Sequence, residues 1–130
     1  MKTLFAAASL AAVAATAGPS IAQRPDLRGQ QIYRRACYSC HALEPGRNTP
    51  AGPTLHDIVG RPIAAQPGFN YSPALRRLAR RHGRWTRALI DRFVAAPDSF
   101  APGTEMTFLG MSDAQRGVLL DWLQARQRRR

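Results

Sequence analysis

Cys37, Cys40 and His41 stand together in the stretch C-Y-S-C-H, and the chain holds no other cysteine. Three chemistries use a C-x-x-C: a redox dithiol, half of a zinc site, and covalent attachment of haem c. A fourth reading, a structural disulfide, closes so small a loop that it stabilises little. It also leaves the adjacent histidine without a task. The choice among these depends on the elements around the motif.

Those elements read as helices. "DLRGQQIYRRAC" gathers Leu27, Ile32, Tyr33 and Ala36 on one face and runs directly into Cys37. "SPALRRLARR" opens with Ser72 as an N-cap and Pro73 at the first helical position, with Leu75, Leu78 and Ala79 as a short apolar stripe. "WTRALIDRFVAAP" places Trp85, Leu89, Ile90, Phe93 and Val94 at helical spacing, and Pro97 is expected to end it. Ser112 and Gln115 make a capping-box pattern before a last helix whose buried face is expected to be Val118, Leu119, Trp122 and Leu123. No run alternates with a period of two. The expected fold is all-α, with three to five helices and no second domain.

Between His41 and Phe69 the chain has little periodicity, and "ALEPGRNTPAGPTL" is rich in proline and glycine. Ordered domains seldom carry such a loop unless something packs against it. A large apolar cofactor would supply that packing. At the other end, residues 1–22 read as a cleaved secretory leader: Lys2, an apolar run from Leu4 to Ala17, a break at Gly18-Pro19, and Ser20 and Ala22 at a small-x-small cleavage site. The run is short for a membrane span. Residues 23–130 are then the exported domain, and a periplasmic location is expected.

This context discriminates. A thioredoxin-like dithiol needs a βαβ setting that the chain lacks. Zinc needs four ligands, usually in pairs, and His56 and His82 make no matching pair. Haem attachment accounts for every residue of the motif. The two thiols add to the haem vinyl groups, and His41 becomes the proximal iron ligand.

The chain resembles the class I monohaem cytochromes c of the mitochondrial and bacterial short-chain type. Four segments carry the likeness, in family order: "GQQIYRRACYSCH", "GPTLHDIVGR", "QPGFNYS" and "PGTEMTFLG". The resemblance implies a small cytochrome c fold around one covalent haem c, with Cys37 and Cys40 as attachment points and His41 and Met106 as iron ligands. It implies that the Pro53 carbonyl accepts the ring N–H of His41, fixing its tautomer. It places Arg61, Tyr71 and Trp85 around a buried propionate, and Gly29, Tyr33, Leu119 and Trp122 where the first and last helices cross. Met111 is expected to be core, and His56 and His82 surface residues.

The chain departs from the family in three ways. Phe93 stands where many members carry a tyrosine near the methionine sulfur. The segment from Tyr71 to Trp85 is longer and adds Arg76, Arg77, Arg80, Arg81 and Arg84. The tail ends in "RQRRR". The formal net charge is +11, yet positions where relatives carry haem-edge lysines read Ala36, Pro50, Asp98, Glu105, Ser112 and Asp113. Arg34 and Arg35 fall near one side of that rim. The expected docking face is therefore neutral or acidic, with the arginines facing another surface such as an anionic membrane.

Two iron ligands from the chain leave no open position, and no nucleophile or acid–base pair is visible. The expectation is an electron carrier, a monomer and not an enzyme. Its partners would be redox proteins, such as a membrane oxidoreductase or oxidase or a periplasmic dehydrogenase, and not nucleic acid. The rival readings are a permanently bound subunit of a dehydrogenase or oxidase, and a sensing or peroxidatic haem protein.

Overall fold

The structure, a computed structural model, describes residues 25–129. The leader expected at residues 1–22, and the domain boundary after it, lie outside the described residues.

Five helices follow one another: α1 (Pro25–Ala36), α2 (Pro73–His82), α3 (Arg87–Ala95), α4 (Pro97–Phe100) and α5 (Asp113–Arg128). Among the described residues there is no strand, only an isolated bridge between Pro62 and Arg84. The fold is the small all-α one expected.

Local chemistry explains the starts. The Ser72 hydroxyl accepts the Leu75 N–H at 3.3 Å, and Pro73 follows at N1. Thr86 caps α3 by accepting from the Leu89 N–H at 3.1 Å. Ser112 and Gln115 form the reciprocal capping box of α5. Pro97 does more than end α3. It opens the single turn of α4, where its missing N–H costs nothing.

α1 crosses α5 at Gly29. A Cβ there would overlap the Trp122 side chain, so only hydrogen lets the backbone approach. The Tyr33 and Trp122 rings pack beside this point with centroids 5.6 Å apart. The buried face of α5 consists of Leu119, Leu120, Trp122 and Leu123. Leu120 therefore takes the place expected for Val118, which is only half-buried. α5 is gripped on two sides, by α1 and by α3, so its apolar stripe is wider than a single-face reading assumes.

The long segment after His41 is ordered by polar contacts as well as by burial. Thr54 is buried, and its hydroxyl donates to the Glu44 carbonyl at 2.8 Å. The Leu55 N–H reaches the Ala42 carbonyl at 2.9 Å. Asn48 bridges the loop, accepting from the Thr54 N–H and donating to the Pro67 carbonyl. Proline and glycine shape this loop, and the Thr54 and Asn48 side chains help fasten it.

Candidate functional site

The last turn of α1 continues into the motif. The Cys37 N–H bonds the Tyr33 carbonyl, and the Cys40 and His41 N–H groups both turn back to the Cys37 carbonyl, at 3.0 and 2.8 Å. Tyr33 adds a hydroxyl bond of 2.6 Å to the His41 carbonyl. The motif thus hangs on the helix that α5 holds. The two cysteine sulfurs are not joined to each other. Burial, and then the neighbouring Cys40, push the Cys37 thiol up to about 11.

His41 Nδ1 lies 2.7 Å from the Pro53 carbonyl. A carbonyl only accepts, so Nδ1 carries the proton and Nε2 carries the lone pair. Nε2 makes no hydrogen bond among the described residues. Burial holds the imidazole pKa below its ordinary value, the Pro53 bond works against this, and Arg61 adds to the lowering. A neutral ring is the form that ligates a metal.

Gly52 backs the ring. A Cβ there would stand 2.6 Å from His41 Cε1 and 2.7 Å from Nδ1. Its main chain is held by Thr49, whose hydroxyl donates to the Cys40 carbonyl at 2.6 Å and accepts the Gly52 N–H at 3.1 Å. Neither Gly52 nor the threonines Thr49 and Thr54 stood out in the sequence. The available signal was turn-forming polar residues interleaved with proline and glycine.

Arg61 and Trp85 are brought together by main-chain pairing. The Trp85 N–H reaches the Arg61 carbonyl at 2.9 Å, and the Gly60 N–H reaches the Trp85 carbonyl at 2.6 Å. The Arg61 guanidinium donates to the Thr54 and His56 carbonyls at 2.8 and 2.9 Å, and so braces the loop behind His41. Burial lowers its pKa and raises that of the Tyr71 hydroxyl, and each residue's field partly opposes the other's shift. His82 is exposed as expected, whereas His56 is half-buried and lies 3.2 Å from Asp57.

Met106 and Met111 are both half-buried and both pack against the core. The Met106 N–H bonds the Thr104 hydroxyl at 3.3 Å. The Met111 carbonyl accepts from Arg116 at 2.7 Å. A cavity of about 420 Å³ lies between α1 and the start of α5, with Ile32, Ala36, Phe108 and Met111 among its lining and Arg28 and Arg35 beside them. Cys37, Cys40, His41 and Met106 do not line it.

The residues present fit a covalently attached haem. Two unjoined thiols stand three residues apart at a helix end. The next residue is a neutral imidazole with one nitrogen committed and the other available. The loop backbone is pressed so closely on that ring that a methyl group would not fit. Among the described residues no three His, Cys, Asp or Glu side chains converge as a zinc set would.

No family model matches the chain. Individual relatives do. Cytochrome c type-1 of Ascaris suum is 33% identical over 107 residues, covering 82% of this chain and 92% of the relative. Cytochrome c2 of Rhodomicrobium vannielii is 32% identical over 89 residues, or 68% of each chain. Cytochrome c-550 of Ancylobacter novellus is 35% identical over 84 residues, covering 65% of this chain and 78% of the relative. Together with the helical fold and the braced histidine behind C-x-x-C, these likenesses place the chain among the class I monohaem cytochromes c, electron carriers built around one covalently attached haem c.

Proposed function

We propose that the protein is a periplasmic electron carrier whose haem iron is held by His41 and Met106. When bound, the haem supplies a ferric–ferrous couple for outer-sphere electron transfer. The Cys37 and Cys40 thiols supply the attachment, each S–H adding across a vinyl group. Pro53 holds His41 in the tautomer that presents Nε2, and this bond of 2.7 Å is the observation that carries the reading. Arg61, Tyr71 and Trp85 are the donors proposed for a propionate, since a buried carboxylate needs partners. Residues 1–22 act as a cleaved leader, and residues 23–130 work as a monomer without enzymatic activity of their own.

The partners proposed are redox proteins, a membrane oxidoreductase or oxidase or a periplasmic dehydrogenase. A second contact is proposed for α2. Arg76, Arg77, Arg80 and Arg81 are exposed on it, and the helix contains no acidic residue. Such a face suits an anionic membrane surface. Among the described residues no helix is long and apolar enough to cross a membrane.

Electronic spectra of the holoprotein test the ligand set. Haem should survive acid–acetone extraction, and the ferric form should show the weak far-red methionine–iron band. Met106→His should abolish that band, keep the iron low-spin and lower the reduction potential, because imidazole replaces a thioether that favours ferrous iron. Met111→Leu should change neither. Loss of the band in Met111→Leu instead would reassign the sixth ligand.

A further inference from the structure

The segment that carries Met106 is fastened at its ends and weakly in between. At its start the buried Ala101 bonds back to the Pro97 carbonyl at 2.8 Å, and the Phe100 ring meets Phe93 with centroids 6.3 Å apart. Its middle is held by bonds within the segment, Met106 to Thr104 and Phe108 to Met106, while Glu105, Thr107 and Leu109 are exposed. At its end Gly110, with φ at +93°, sits so close to α3 that a Cβ would overlap the Ala95 carbonyl.

One residue later comes Arg116's bond to the Met111 carbonyl, 2.7 Å long. The rest of this guanidinium is committed elsewhere. Nε bonds Asp91 on α3 at 2.9 Å, and the other terminal nitrogen bonds Asp113 at the start of α5 at 2.8 Å. The side chain is only 11% exposed. A single planar fork therefore joins α3, α5 and the end of the Met106 segment.

We infer that Arg116 is a positioning residue for the sixth iron ligand: by fixing the Met111 carbonyl to α3 and α5, it sets how often the Met106 segment swings away. This rests on the reading of Met106 as that ligand. A segment with few contacts opens locally at low cost. An incoming ligand competes in proportion to the open fraction. Arginine suits the task because its donors diverge in one rigid plane, which a lysine ammonium cannot reproduce.

The molecule contains a matched control. Arg87 also ties α3 to α5, bonding Asp121 at 2.9 Å, Gln124 at 2.7 Å and the Gly117 carbonyl at 3.3 Å. None of these partners belongs to the segment between α4 and α5. If arginine bridges between α3 and α5 merely stabilise the fold, the two should behave alike.

The test titrates the ferric holoprotein with imidazole while following the methionine–iron band, with chemical denaturation in parallel. Arg116→Gln should raise the apparent imidazole affinity about tenfold, the scale expected when one charge-assisted hydrogen bond to a carbonyl is lost. Arg116→Lys should fall between it and the wild type, and Asp91→Asn should shift affinity in the same direction. Arg87→Gln should lower the denaturation midpoint yet leave imidazole affinity within about twofold. Should Arg116→Gln fail to take up haem, Asp91→Asn against Arg87→Gln decides by the same comparison. Equal shifts in the two bridges, or no shift in the Arg116 and Asp91 variants, overturn the inference. A band that survives Met106→Ala sinks the ligand assignment and this role with it. A band that requires Met106, with affinity indifferent to Arg116, sinks the positioning role alone.

Discussion

The two sides of the site are built on different principles. On the His41 side, residues 42–61 are stitched internally: Thr49 accepts the Gly52 N–H, Asn48 the Thr54 N–H, and Thr54 and Arg61 donate to the Glu44 and Thr54 carbonyls. On the Met106 side, the chain between α4 and α5 has few such stitches and depends on Ala101, Gly110 and Arg116 at its ends. A histidine bond to iron asks for one fixed ring orientation, and a dense polar network provides it. A thioether is flexible and weaker, so its carrier can be tuned by end anchors alone.

The largest effect expected from this contrast is at Gly52. Gly52→Ala puts a methyl group inside contact distance of the His41 ring and the Cys40 carbonyl, both tied down by short bonds. We expect a loss of about 2–4 kcal/mol and a low yield of holoprotein, since neither neighbour can move cheaply. Chemical denaturation of purified holoprotein measures it. Wild-type stability in this variant would show the His41 loop to be as pliable as the Met106 segment.

Thr54→Val comes next. It keeps the shape but removes the hydroxyl that donates to the Glu44 carbonyl and accepts the His56 N–H. About 1–3 kcal/mol should be lost, the usual range for an orphaned buried acceptor. Hydrogen exchange should rise in residues 42–55 and stay unchanged in residues 101–111. Uniform acceleration would erase the distinction between the two sides.

How much of this was legible follows from how local each cause is. Ser72, Pro73 and the Ser112–Gln115 pair act within one helical turn, so the sequence exposes them. The C-x-x-C-H spacing is local too, and the Pro53 carbonyl came by resemblance. Leu120 does not stand out in the sequence because α5 packs against both α1 and α3, and neither partner can be read from its own stretch. Gly52 reads as an ordinary loop glycine until the His41 ring is set against it. Arg116 sits in "SDAQRG", where any arginine looks solvated. Its partner Asp91 lies on another helix, and nothing in either stretch announces the other.

The smallest effect concerns charge on the Met106 side. Asp98 and Glu105 are exposed there, and residues 58–90 contain seven arginines and no acidic residue. Reversing Asp98 and Glu105 to lysine should speed electron transfer to an oxidase with an acidic docking site a few-fold at low salt, with a steeper ionic-strength dependence. Stopped-flow rates across salt concentrations read this out. A wild type already fast and strongly salt-sensitive, and unmoved by the reversals, would mean that arginines govern docking on this side as well.

The close crossing at Gly29 also bears on the order of folding. α1 carries the attachment motif at its end, yet its packing partner α5 is the last helix of the chain. Every intervening residue must be made, and the ends of that long loop brought together, before Tyr33 and Trp122 can meet. Until then the helix that leads into Cys37 and Cys40 lacks its packing partner. The topology therefore puts the attachment motif near the start of the described chain and the helix that steadies it at the end, so the motif is made well before it can be held in place.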